Sequence, residues 1–507
     1  MTPGPAPYRS GQQAGRDSFP RLLRAEWIKF RTVRGWVGGL VAAALMVVLF
    51  AVLAGISSNQ PGRPAVPIGP GGEPVTDSFY FVHRPLAGDG SITVSVSALR
   101  DHLPRDLQPA TVPWAKAGLI IKASTRAGSP YAAIMVTSSH GVRMQYNYVH
   151  DQPGLPGPVS AASPRWLRLE RSGDAVTGYD SADGTHWAMV GTVHVTGLGP
   201  AVPGGLFVAS PDSVQGMGTA TSVATAVFSN LGVRGSWLDG HWTGDQVTAA
   251  SASSSGQPAF APGTFTASGG TFTVTGTGDI APAVRESLGS AGVIGDILFG
   301  AFPALIAVIV VGARFITAEY RGDMIRLTLA ASPRRVRVLA AKAIVLGVVT
   351  FAAGLAGAAV AVPLGQRLAR THGVYLFPVT PLVLLRVEVG TAVLLATASI
   401  LALAAGAMFR RSAGAVATVI AAIVLPYILV AQIPFVPASV TNWLTRVTPA
   451  AAFAVQQTLV PYHQVTSIYT PYNGYYPLAP SAGLAVLAGY AVLALAVASL
   501  LFRRRDA

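Results

Sequence analysis

The sequence predicts a multi-pass α-helical membrane protein of six transmembrane helices, with a large extracellular β-sandwich inserted between helices 1 and 2. Three observations predict it. Of 507 residues, 51% are hydrophobic and only 11% charged, against about 25% charged in an ordinary soluble chain, so the composition excludes a simple soluble globule, a disordered chain and a collagen-like one. Six separate runs reach the roughly 20 apolar residues that cover about 30 Å of hydrocarbon at 1.5 Å per residue. Between the first run and the second, residues 77–230 switch to the alternation of half-buried strands.

The six runs lie near Trp36–Ile56, Asp296–Ala313, Leu339–Pro363, Leu382–Met408, Gly414–Ile433 and Ala482–Phe502. From Ile297 to Val311 the second holds ten Leu, Ile, Val or Phe residues, enough insertion energy to tolerate Pro303. Ala and Gly crowd the third and fifth, as suits helices packed backbone to backbone. The net charge of +14 would suit nucleic acid, but its placement argues against that partner. Residues 57–291 carry 13 Lys/Arg and 15 Asp/Glu, whereas the rest of the chain carries 23 and 7. The excess flanks the apolar runs at Arg21–Arg34, Arg314–Lys342, Arg410–Arg411 and Arg503–Arg505. With six spans these flanks all fall on one side, so the positive-inside rule puts both termini in the cytoplasm and residues 57–291 outside a plasma membrane.

In the insert, Ile92, Val94, Val96 and Ala98 alternate with polar neighbours, and similar runs occupy Gly118–Lys122, Ala132–Ser138, Val142–Val149, Trp166–Arg171, Val176–Tyr179, Met189–Val195 and Leu206–Ala209. Turn dipeptides such as Asp183-Gly184 part them. About ten short strands at this spacing predict a sandwich. The Ser-, Thr- and Gly-rich stretch 231–291, with two more strands in "GTFTASGGTFTVTGTGDI", reads as a stalk. The organisation is therefore a cytoplasmic N-terminus at 1–35, helix 1 at 36–56, a linker at 57–76, the sandwich at 77–230, the stalk at 231–291, and helices 2–6 within 292–507. These last are interrupted by a cytoplasmic loop at 314–338 and an extracellular loop at 434–481.

Chemistry is constrained mainly by what is missing. There is no cysteine, hence no thiolate metal site and no Cys nucleophile. No H-E-x-x-H or His pair marks zinc, no close carboxylate pair marks a hydrolase, and no G-x-x-x-x-G-K-[ST] is present to cradle a nucleotide. Catalytic, cofactor-binding and metal residues are all expected to be absent. Two basic segments stand out instead. In "RLLRAEWIKFRTVR", Leu22, Leu23, Trp27 and Phe30 recur at helical spacing among Glu26, Lys29 and Arg31, which predicts either a helix lying among lipid headgroups or a plain positive flank. In "TAEYRGDMIRLTLAASPRRVRVLAAK", Glu319, Tyr320, Arg321, Asp323 and Arg326 mix with apolar Met324, Ile325 and Leu327 before Pro333. That pattern suits a short helix docking into a protein groove, or an ordinary solvated loop. Glu388, about six residues into the fourth run, is either an interfacial group or part of a transport pathway. Tyr462, Tyr469, Tyr472, Tyr475 and Tyr476 predict a headgroup belt or a contact with the sandwich. Trp114, Trp166 and Trp187 are either sugar-stacking platforms or core aromatics.

Two resemblances follow from particular motifs. "WAKAGLIIKAS", "YAAIMVTSSHGVRMQYNY", "RWLRLERSGDAVTGYDSADGTHW" and "PGGLFVAS" resemble the concanavalin-like lectin/glucanase jelly rolls, the laminin-G-like modules above all. This likeness covers about 150 residues and implies contact with an extracellular glycan or surface ligand. "AEWIKFRTVR", "ITAEYRGDMIRLTLAASPRRVRVLAAKA" and "WLTRVTPAAAFAV", with the six-span count, resemble the permease subunits of actinobacterial ABC-2-type transporters. The insert after span 1 departs from the minimal plan of that family. The resemblance implies a subunit that exports or flips a substrate in the company of a second permease copy and of membrane lipids. It also implies a separate cytoplasmic ABC ATPase that uses ATP and Mg and docks on the segment around Glu319–Leu327. A membrane-tethered glycan sensor or adhesin is the alternative.

Overall fold

The computed structural model describes residues 19–57, 65–103, 112–215, 218–248, 263–288, 292–321, 334–433 and 435–504. Its helices are α1 (Phe19–Thr32), α2 (Arg34–Ser57), α3 (Ile294–Ile297), α4 (Ala301–Arg321), α5 (Arg335–Thr371), α6 (Pro381–Phe409), α7 (Ser412–Ala431), α8 (Ala438–Val447) and α9 (Pro480–Arg504). Among the described residues six helices are long and apolar enough to cross a membrane: α2, the continuous stretch Ile294–Tyr320 through α3 and α4, α5, α6, α7 and α9. All six coincide with the apolar runs of the sequence. They pack as one bundle around Val47, Leu305, Ile309, Leu346, Leu395, Ala402 and Val419. The packing uses the small residues. A Cβ on Gly312 of α4 would land on the carbonyl oxygen of Ser399 in α6, so only glycine permits that approach.

The connection before α9 departs from a simple loop. Residues Pro449–Gln456 form a 3-10 helix in which all eight side chains are buried. It lies against α6, α7 and α9, with the Phe453 ring stacked 3.8 Å from that of Tyr427 on α7. The expected extracellular loop 434–481 thus sends its middle into the bundle, because "PAAAFAV" offers only small and apolar side chains. Just before it, α8 leaves Val440, Trp443 and Val447 exposed on one face.

The insert is a sheet structure of long range. Its strands are β1 (Val75–Asp77), β2 (Phe79–His102), β3 (Lys116–Lys122), β4 (Tyr131–Thr137), β5 (Gly141–Tyr146), β6 (His150–Pro153), β7 (Arg165–Ser172), β8 (Ala175–Ser181), β9 (Ala188–His194), β10 (Ala201–Ala209), β11 (Ser213–Gln215), β12 (Gly218–Ala220), β13 (Val223–Trp237), β14 (Thr243–Val247), β15 (Thr264–Ser268), β16 (Thr271–Gly276) and β17 (Ile280–Pro282). The 24-residue β2 serves two layers. Its first half pairs with β10 and β14, and its second half with β7 and β13. One layer runs β2-β10-β3-β4-β5-β6, the other β9-β8-β7-β2-β13-β16-β15, all antiparallel. Ile92, Val94, Leu119, Ile134, Met144, Leu167, Leu169 and Leu206 fill the space between. The first layer is covered on its other face too, where Phe79, Phe81, Ile120, Tyr131, Met135 and Phe207 form a second core. Burial on both faces explains why "AGLIIK" and "YAAIMV" run apolar without alternation.

The described residues of 231–291, expected as a stalk, pair into the sheets. β13 continues through Trp237 along β2, β14 adds to the first half of β2, and β16 adds to β13. The Thr- and Val-rich segments supply strands for open edges, and two consecutive positive-φ glycines, Gly269 and Gly270, turn β15 into β16. Antiparallel β1 and β17 close the base of the insert.

Candidate functional site

The bundle end that collects the basic segments is organised by four charged side chains. α1 lays Glu26 and Phe30, one turn apart, against the bundle. α4 brings Phe315 and Glu319, also one turn apart, and α5 brings Lys342. Lys342 is fully buried, and its Nζ donates to Glu26 Oε2 and Glu319 Oε1, each at 2.7 Å. Lys29 closes the group from the rim, 3.1 Å from both Glu26 Oε1 and Glu319 Oε1. Two carboxylates face two ammonium groups, so the cluster is neutral, which is the condition under which buried ions are tolerated. Burial works against the charge on Lys29, but the carboxylates of Glu26 and Glu319 more than offset it and its pKa is raised.

Aromatic rings wall the cluster. Phe315 meets Phe30 edge-on at 5.4 Å and Trp36 at 5.0 Å, and Lys342 Nζ lies 4.6 Å from the Phe315 ring centre. Arg410, from the turn between α6 and α7, stands 5.4 Å over the ring of Tyr320. Mechanically, α1 is fastened both to the helix that leads into residues 322–333 and to the helix that leads out of them.

Of the residues expected at the docking segment, Glu319 and Tyr320 sit at this junction, and Arg321 is the last helical residue of α4. Asp323, Met324, Ile325, Arg326 and Leu327 lie outside the described residues. In α1 the buried edge carries Glu26 and Phe30, whereas Trp27 and Arg31 are exposed. The expected apolar stripe therefore differs from the observed one by an acid, because Glu26 finds Lys342. Lys342 is the member of this cluster that sequence reading missed. It looked like one more positive flank, and nothing local marks a partner 316 residues away.

At the opposite end the insert is docked, not loosely tethered. Gln464 of the long loop donates to the carbonyl oxygens of Tyr148 and Val149, at 3.4 and 3.0 Å. Asn147 and Tyr148 both hold positive φ, a costly conformation for a bulky residue unless its surroundings fix it. Here they do: the Tyr148 hydroxyl donates to Asp77 Oδ2 at 2.6 Å, and Lys122 Nζ reaches both groups at 2.8 Å. Burial, with the Asp77 carboxylate beside it, pushes the Tyr148 phenol far up, so it remains a donor. Burial also lowers the Lys122 pKa against the opposing pull of Asp77. Glu286 Oε1 accepts from Ser467 Oγ at 2.8 Å, from the Ile468 amide at 3.1 Å and from Asn473 Nδ2 at 2.8 Å. Tyr475 and Tyr476 are thus packed behind this loop, while Tyr472 stays 46% exposed. A cavity of about 70 Å³ lies beneath, lined by the Arg285–Asp296 ion pair, Tyr427, Gln456 and Tyr476.

The three tryptophans part company. Trp114 is buried, with His140 stacked 3.9 Å from its ring, so it presents no open face to a sugar. Trp166 is half-buried beneath Gly184, and Trp187 is half-buried with the Arg168 guanidinium 4.0 Å over its ring. Glu388 is half-buried on the first turns of α6 and does not line the cavity at this end. Asp279 and Asp296 pair separately with Lys116 and Arg285.

No family model matches the chain, and no curated protein matches it. Solved structures do. A functionally unknown protein from Saccharomyces cerevisiae is 13% identical over 31% of this chain and 75% of its own, with a TM-score of 0.22. Scytalido-glutamic peptidase with a transition state analog inhibitor is 8% identical over 39% and 98%, with a TM-score of 0.27. The alginate lyase from Klebsiella pneumoniae is 12% identical over 29% and 59%, with a TM-score of 0.16. TM-scores this low carry no argument about what the chain does.

Proposed function

We propose that the chain is the membrane-spanning permease subunit of an ABC-2-type ATP-driven transporter, exporting or flipping a substrate through a six-helix bundle in the plasma membrane. The observation that carries this reading is the cluster of Glu26, Lys29, Glu319 and Lys342. It makes α1 and both roots of the 322–333 segment one mechanical unit. A segment so held can pass a push from an outside motor into α4 and α5, whereas six helices serving only as an anchor would need no such coupling. The chain has no phosphate-cradling loop of its own, so ATP hydrolysis is assigned to a partner ATPase docking at Met324–Leu327. On this reading the basic end faces the cytoplasm, a second permease copy completes the bundle, and the insert is a concanavalin-like jelly roll outside the cell. There Trp166 and Trp187 remain the sugar-stacking candidates. The test is co-purification of a cytoplasmic ABC ATPase with this chain. Ile325→Asp or Leu327→Asp is expected to abolish it while membrane insertion stays normal. Undiminished recovery of the ATPase with both variants would remove the docking role.

A further inference from the structure

A cleft of about 470 Å³ opens on the side of the bundle between α4 and α7, within the range of ligand-binding pockets. Its walls are Val310 of α4 and Val416 and Ile420 of α7, and its polar residues are Arg314 and Ser412. The arrangement is graded along the bundle. Val310 and Arg314 are one turn apart on α4, and Ser412, Val416 and Ile420 follow one another by single turns on α7. Because α4 runs toward the basic end and α7 starts there, Arg314 and Ser412 lie together at that end, with the apolar walls toward the middle.

Among the described residues, the polar end is cationic and has no acid partner. Arg314 and Arg411 are exposed, and Arg410 stands beside them over Tyr320. Among the described residues no carboxylate pairs with any of the three, and no side chain caps the first turn of α7. Glu319, the nearest acid along α4, is already taken by Lys29 and Lys342.

The geometry points to a bound anionic phospholipid, its phosphate held by Arg314 and Ser412, with the exposed Arg411 next to Ser412 in the chain adding positive charge, and one acyl chain lying along Val310, Val416 and Ile420. Charge selects the headgroup. The apolar walls take the chain, which a free phosphate does not have. The inference rests on the bundle lying in a bilayer but not on ATPase docking, since Ile325 and Leu327 are not part of the cleft.

Native mass spectrometry of the full-length chain in detergent, titrated with phosphatidylglycerol or phosphatidylcholine, tests it. The wild type should retain a phosphatidylglycerol in preference to phosphatidylcholine. Arg314→Gln/Arg411→Gln should lower that retention by roughly tenfold or more, with phosphatidylcholine unchanged. Arg314→Lys should keep it, and Val416→Trp, which fills the apolar wall without touching charge, should lower it. Equal retention of both lipids, wild-type retention in the double Gln variant, displacement of the lipid by inorganic phosphate, or a second copy of the chain in place of lipid would each overturn the assignment.

Discussion

At the scale of single residues, Lys342 decides most. It is buried with two carboxylates, and removing the cation leaves both acids sharing only Lys29 at the rim, beside Phe315 and Phe30. Lys342→Met should cost about 3–5 kcal/mol, the usual loss when one partner of a buried ion group is deleted. It should be read as a lower unfolding midpoint of the detergent-solubilised chain. The triple variant Lys342→Met/Glu26→Gln/Glu319→Gln should recover much of that loss, because it removes the three buried charges together and leaves only the partly exposed Lys29. The contrast separates stranded charge from lost packing, which the triple variant does not restore. Little of this was legible in the sequence. Glu26, Lys29 and Glu319 attracted notice for their local pattern, but their meeting depends on α1, α4 and α5 converging. Residue types flanking an apolar run look the same whether they face water or one another.

At the scale of elements, the spans were readable because length and hydropathy are local properties. Five of the six observed helices contain their predicted run and extend beyond it by up to eight residues, as α5 shows from Arg335 to Thr371, whereas α7 stops at Ala431, two residues short of the expected Ile433. Strands β3, β4, β7, β8 and β9 were equally plain. β6 was not, since it follows the positive-φ pair Asn147 and Tyr148, which no turn dipeptide announces. The buried 3-10 turn at Pro449–Gln456 was also hidden, because its eight residues are too few to register as a span. Close helix contacts make a prediction at this scale. Gly312→Ala should push α4 off α6 at the Ser399 carbonyl and destabilise the chain by about 1–3 kcal/mol. Gly489→Ala in α9, where a Cβ would meet nothing within 4 Å, should be neutral. Paired thermal unfolding curves check both.

At the scale of the whole molecule, the insert and the bundle are joined by hydrogen bonds as well as by the chain. Gln464 holds the strained turn of the sheet domain, Glu286 gathers the loop from Ser467 to Asn473, and the amide of Gly292 donates to the carbonyl of Tyr375 after α5. Glu286→Ala would leave three donors without their acceptor, at about 1–3 kcal/mol for groups this buried. Amide hydrogen exchange over residues 462–476 should then quicken while exchange in β2 and β10 stays slow. If exchange instead quickens throughout the insert, the loop is part of the domain's own core and not a separate brace.

The pairing of β1 with β17 carries one more consequence. The backbone goes in at Val75 and comes out at Pro282 side by side, about 5 Å apart as neighbouring strands are. Some two hundred residues thus hang from a doorway no wider than a hairpin. Lineages could swap that cargo for another, or lose it, without respacing the helices on either side.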